Sequence, residues 1–287
     1  MEYLLAPFLD NAFMTRALIA GVLVSIACGV VGTFVVLRGL AFIGDALAHG
    51  VLPGIAGAIL LGLPGMLGAA VGALVMIGGV SLVTRRSRLS SDTAIGLLFV
   101  AMLALGVVMI SASGAFQGDL LAILFGQILG TSWEQILTMA VATGLVIAVA
   151  AVAARPFLLL SFDPEQADVA GFPSRRYHVL MLLLVALTVV VAFQTVGTLL
   201  VFGMLLAPAA SGALLATRIG SMMVIATLIG SVSTYVGLLV SYWYDLAASA
   251  MIVLVAVSIF FVIFTLSDIR GEGRHVQTTD PSGETLS

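Results

Sequence analysis

The chain contains no lysine: all 11 of its basic residues are arginine. A phosphate-binding P-loop depends on a lysine that reaches the β- and γ-phosphates, so none is encoded here. Schiff-base chemistry is excluded on the same ground. Charge of either sign is scarce, with 9% of residues charged and 61% hydrophobic. A soluble domain carries about 25% charged residues. So little charge cannot cover a water-facing surface, and disorder is excluded for most of the chain. The single cysteine, Cys28, can form no intrachain disulfide; it lies in an apolar run, where a free thiol behaves as a small hydrophobe. No HExxH zinc-protease motif occurs. The N-terminal stretch has neither the basic segment nor the cleavage site of a signal peptide, so the first apolar run is expected to be kept.

Long apolar runs dominate instead. Read between charges and Gly/Pro breaks, they cover 14–37, 46–61, 65–83, 93–111, 135–154, 178–193, 196–217, 221–241 and 247–267. Runs near 20 residues predict membrane-crossing helices, hence an all-α polytopic bundle of about nine transmembrane helices spanning residues 1–267. Two runs, 46–61 and 178–193, are short for untilted helices, and the first is expected to begin several residues earlier. The stretch 118–130 is apolar but too short to cross, and predicts a re-entrant or interfacial helix. Residues 268–287 are polar and predict a disordered cytoplasmic tail. With the C-terminus inside, Arg38, Arg85, Arg86, Arg88, Arg155, Arg175, Arg176, Arg218, Arg270 and Arg274 face the cytoplasm and only Arg16 faces out, as the positive-inside rule requires. Trp133 and Tyr242–Tyr244 then fall at the outer interface.

Ionisable residues at membrane depth are costly and usually face a cavity or a partner. Between the first two spans, Asp45 and His49 stand one helical turn apart, on one face of any helix that includes them. A carboxylate oxygen and an imidazole nitrogen suit a borderline divalent metal. The bland alternative is Asp45 as an N-cap and His49 as an interfacial polar residue. Asp245, between the last two spans, is either a cation-capturing acid at the outer side or a loop acid capping the next helix. The longest internal polar stretch, 161–177, predicts a short cytoplasmic helix over roughly 164–170. Asp163 caps it ahead of Pro164, Glu165 and Asp168 complement its dipole, and Gly171 and Pro173 stop it. It is a docking surface for a soluble partner or an ordinary solvated loop. Pro208 is expected to kink or break its span. His178 and His275 are isolated.

Five stretches together carry a resemblance: GDALAHGVLPGIAGA (44–58), DTAIGLLFVAMLALGVV (92–108), DLLAILFGQILG (119–130), FDPEQADVAGFP (162–173) and VGTLLVFGMLLAPAASGALLA (196–216). In order and spacing the chain resembles the metal-importing ABC-3 permease family over about residues 10–268. The resemblance implies a fold related to the vitamin B12 and siderophore permeases, and a homodimer in the bacterial inner membrane. It implies a separate ATP-binding subunit, an extracytoplasmic solute-binding protein, and zinc or manganese as cargo. The chain would hold no cofactor, contact lipid but no nucleic acid, and not itself be an enzyme. The resemblance places Asp45 and His49 on the metal path and Asp163, Glu165, Asp168 and Gly171 at the coupling helix. It also matches Asp245 to an acid in a Tyr-x-x-Asp pattern, although Leu246-Ala247-Ala248-Ser249 replaces the usual Pro and Gly that follow. Two rival readings are an ion-coupled secondary transporter and, more remotely, an intramembrane aspartyl protease built on Asp45 and Asp245.

Overall fold

The computed structural model describes residues 2–87, 90–113 and 126–275. Among them are α1 (Glu2–Asp10), α2 (Ala12–Leu37), α3 (Ile43–Gly50), α4 (Leu52–Leu60), α5 (Gly65–Arg86), α6 (Ser91–Ser113), α7 (Trp133–Val152), α8 (Ala154–Phe162), α9 (Pro164–Val169), α10 (Ser174–Leu215), α11 (Ile219–Tyr244) and α12 (Ala248–His275), with a 3-10 turn at Ile128–Gly130 and no strand. Helices are the expected solution for so apolar a chain, because lipid offers backbone groups no partner and each helix satisfies its own. Nine described segments are long and apolar enough to cross a membrane. They coincide with the nine runs read from sequence. The second begins at Ile43, earlier than the bare apolar run, and α7 begins at Trp133 because Ser132 and Gln135 form a reciprocal capping box.

The sixth and seventh spans share α10, which reverses direction at Gly197 (φ 80°, ψ 165°). Contacts with α2 establish the reversal. Before Gly197 the helices run antiparallel, with Arg38 against His178. After it they run parallel, with Cys28 beside Val201 and Gly32 beside Leu205 and Ala209. A backbone with φ near +80° disfavours any residue carrying a Cβ, so a single glycine replaces a loop here. Pro208, expected to break the second arm, does not: Gly197 is the one non-helical position in α10. The helix continues through the proline while this arm packs against α2, α11 and α12.

α2 is the centre of the bundle. Its most apolar window is 67% buried, against 17% for α12, which faces outward. Without a hydrophobic drive between helices in lipid, close van der Waals approach stabilises such contacts. Buried hydroxyls on these helices donate to the carbonyl one turn back: Ser25 to Gly21, Thr33 to Gly29, Thr188 to Leu184, Ser211 to Ala207 and Thr234 to Gly230. That local bond removes the cost of carrying a polar group into the core. α12 continues to His275, into the segment read as a tail, and residues 276–287 lie outside the described residues, as do 118–125 of the expected re-entrant helix. In that stretch Gly126 has a left-handed backbone (φ 64°), and Ile128–Gly130 form the 3-10 turn.

Candidate metal path and coupling surface

α2 ends at Arg38 with Gly39 in the left-handed region (φ 64°) and Leu40 N–H donating to Val35 O at 3.0 Å. This tight stop turns the chain back into the bundle, and α3 begins five residues later. Asp45 lies in the first turn of α3, whose N-cap is Phe42, with no side-chain cap bond. The alternative that Asp45 merely caps the helix is therefore not what the structure shows. Val51, between α3 and α4, keeps helical angles (φ −79°, ψ −18°), so the span bends without unwinding. α4 lies so close to α5 that a Cβ on Gly54 would sit 2.0 Å from the Gly68 carbonyl oxygen. This fixes the bend beside the pair.

Asp45 Oδ1 and His49 Nε2 are 3.5 Å apart, with side chains 34% and 20% exposed. That separation is long for a hydrogen bond. It matches two ligands on one tetrahedral metal, where bonds of about 2.1 Å at the tetrahedral angle put the donor atoms about 3.4 Å apart. The other imidazole nitrogen, His49 Nδ1, is buried and has no hydrogen-bond partner. Phe99 of α6 meets the ring in a T-shaped contact, centroids 5.6 Å apart at 65°. Gly44 approaches Leu205 on the second arm of α10, and Gly50 approaches Met76 on α5. Leu205 is eight residues past the Gly197 reversal, or about 12 Å along the helix. The pair therefore lies inside the bundle, within the second membrane-crossing segment Ile43–Leu60.

Asp245 is elsewhere. It ends α11 in the left-handed conformation (φ 52°, ψ 47°), the one described non-glycine residue with positive φ. Leu246 N–H donates to Ser241 O at 3.2 Å, and α12 starts only at Ala248, so Asp245 terminates one helix instead of capping the next. It lies at the bundle end where Asn11 reaches Tyr242, with exposed Trp243 and Tyr244. A cavity of about 320 Å³ lies beside it, lined by 126–130 and by Ala247, Ala248 and Ser249. Asp45 and Asp245 form no dyad, which removes the geometric basis of the protease reading. Among the described residues no three His, Cys, Asp or Glu side chains converge on one point, so one protomer offers two ligands at the pair.

At the other end, α9 has the predicted form. Asp163 Oδ1 accepts from Glu165 N–H (2.9 Å) and Gln166 N–H (3.1 Å). Gly171 has φ 83°; its N–H donates to Asp168 O (3.1 Å) and Phe172 N–H to Ala167 O (2.9 Å), the double bond pattern of a Schellman stop. Glu165 is exposed, as a contact rim requires. Asp168 is engaged otherwise: Oδ1 accepts from Ser174 N–H at 2.7 Å and Oδ2 from Ser174 Oγ at 2.8 Å, tying α9 to the start of α10. Those two bonds hold its carboxyl below the ordinary carboxylate value. From the Schellman stop, rings lead inward: Phe172–Tyr177 (5.8 Å), Tyr177–Phe157 (6.3 Å) and Phe157–Phe34 (5.1 Å). Sequence reading missed Phe99, Ser174 and the His178–Arg38 contact (2.6 Å). Of these only Ser174, placed at the start of a helix after an acid-bearing turn, carries a local signal.

A chain from Listeria innocua, "Manganese transport system membrane protein MntC", is 39% identical over 267 residues, covering 93% of this chain and 95% of its own. A "Probable iron transport system membrane protein" from Haemophilus influenzae is 35% identical over 269 residues, covering 94% and 98%. Among solved structures, "PsaBC from Streptococcus pneumoniae in complex with Fab" superposes with TM-score 0.81 at 35% identity, covering 91% of this chain and 95% of the other. "An inward-facing conformation of a putative metal-chelate type ABC transporter" shares the fold at TM-score 0.73 and 17% identity, covering 88% of this chain and 85% of the other. The model of the ABC 3 transport family matches residues 10–267, so the chain, a multi-pass membrane helix bundle, belongs to that family.

Proposed function

We propose that this chain is the membrane-spanning permease of an ABC importer that carries a divalent transition metal, manganese or zinc, across the bacterial inner membrane into the cytoplasm. The observation that carries the reading is the Asp45–His49 pair: two donor types suited to such a cation, at metal-bridging separation, partly open within the second membrane-crossing segment. The relatives' names, manganese and iron transport proteins, support the same cargo class. A transport site must also release its ion, so a two-ligand protomer completed by water, or by the same pair from a second copy, suits it better than a closed four-ligand cage. The proposed assembly is a homodimer in lipid with two ATP-binding subunits docked at α9 and a solute-binding protein delivering metal at the Asp245 end. Here Asp245 draws cations toward the mouth. ATP hydrolysis belongs to the separate subunit, consistent with the absence of lysine and hence of a P-loop.

The test is uptake of radiolabelled manganese in a permease-deletion strain with the whole transporter restored. Asp45→Ala and His49→Ala should each drop uptake to the deletion background while membrane level and assembly stay normal. Wild-type uptake by both variants would remove the pair from the path.

A further inference from the structure

Resting on His49 as a metal ligand, we propose that Phe99 is its positioning residue, restraining by ring contact an imidazole that lacks the hydrogen-bond acceptor a metal-bound histidine normally has. A ligating imidazole almost always donates its second N–H to a carboxylate, carbonyl or water, which fixes the ring and strengthens the ligand. Within this protomer His49 Nδ1 is sealed from solvent and has no such partner. When Nε2 binds a metal the proton must sit on Nδ1, where nothing described accepts it. What meets the ring is Phe99, in a T-shaped contact with centroids 5.6 Å apart at 65°. Phe99 is itself only partly buried and belongs to α6, a different span from the ligands. An edge-to-face ring contact restrains orientation by shape and quadrupole without adding electron density to the imidazole. The ligand is thereby aimed at Asp45 but left weak, which is what a site that must pass its ion on requires. Because α6 carries the restraint, a shift of α6 relative to α3 would release the ring and the ion together.

The test uses the purified full-length chain and manganese itself. Titration followed by electron paramagnetic resonance gives affinity, and pulsed measurements of the nitrogen coupling to manganese report whether an imidazole is bound. Phe99→Leu should weaken manganese binding about three- to tenfold, the worth of one edge-to-face pair, and diminish the nitrogen coupling. Phe99→Tyr, which keeps the aromatic ring, should restore both. A residue that merely filled space would change the yield of folded protein and leave the nitrogen coupling of the folded fraction intact. Unchanged affinity and coupling in Phe99→Leu, or failure of Phe99→Tyr to restore them, overturns the role of Phe99. His49→Ala separates the two levels: if it abolishes the coupling while Phe99→Leu matches wild type, only the positioning role is lost. If the wild type shows no nitrogen coupling, or His49→Ala does not change it, His49 is not a ligand and both readings fall.

Discussion

Asp45 and His49 were legible together because helical periodicity places i and i+4 on one face whatever surrounds them. Phe99 was not legible, since nothing local announces that α6 crosses α3 at the imidazole. Asp245 divides the same way: its acid was visible, its left-handed backbone was not. That backbone supplies a clean test of its role. Asp245→Gly removes the carboxylate and suits φ 52° better, so thermal stability should hold or rise slightly. Asp245→Val should lose about 1 kcal/mol, because a β-branched side chain resists that conformation. Uptake measured in the stable Asp245→Gly variant then reads the carboxylate alone. A loss at limiting metal supports capture at the outer mouth, and unchanged uptake reduces Asp245 to a helix stop.

At the scale of one element, α9 was almost fully readable, because caps, a proline at the first helical position and a stop glycine are local signals. What sequence misjudged was the dipole role of Asp168, which lies past the first turn and whose partner, Ser174, is reached only after the chain has turned. A Cβ on Gly171 would meet nothing within 4 Å, so substitution there costs backbone strain alone. Gly171→Val should weaken co-purification of the ATP-binding subunit without harming insertion, and Gly171→Asn, which tolerates positive φ, should largely restore it. Normal docking by Gly171→Val together with a Glu165/Asp168 charge reversal would move the coupling surface elsewhere. Asp168 adds a pH dependence whose sign is fixed. Its folded pKa is depressed, so the carboxylate stabilises the α9–α10 turn above the unfolded value near 4, and the contribution fades as pH falls from there through the folded value. At neutral pH, Asp168→Ala should mimic that loss and speed tryptic cleavage at the exposed Arg175 and Arg176. An unchanged cleavage rate would mean the two bonds do not hold the turn.

Across the whole molecule, alternate crossings bring Arg38, Arg86, Arg155, Arg175, Arg176 and Arg218 to one end of the bundle and Arg16 to the other, as the contacts of α2, α10 and α11 require. The asymmetry predicts an outside N-terminus and an inside C-terminus. A reporter fused after Ser287 should be active only in the cytoplasm, and periplasmic activity would invert the molecule. An odd number of crossings depends on the Gly197 reversal. If α10 were one continuous span, the two termini would share a side, so a second reporter ahead of Met1, expected to report the opposite side, tests the reversal.

Composition and periodicity by themselves determined that this chain lives in a membrane, which nine of its described segments are long and apolar enough to cross and where the polar exceptions fall. Those properties follow from the mismatch between side chains and solvent, which each residue carries with it. Tertiary structure decided which exceptions act together: it placed Phe99 on His49, tied Asp168 to Ser174 and set Asp45, past the Arg38 end of α2, apart from Asp245 at the Asn11 end. It also decided that Pro208 continues a helix while Gly197 turns one. In lipid, neighbouring helices stabilise one another through shape and close approach, and the sequence of a single helix does not encode which neighbour will meet it.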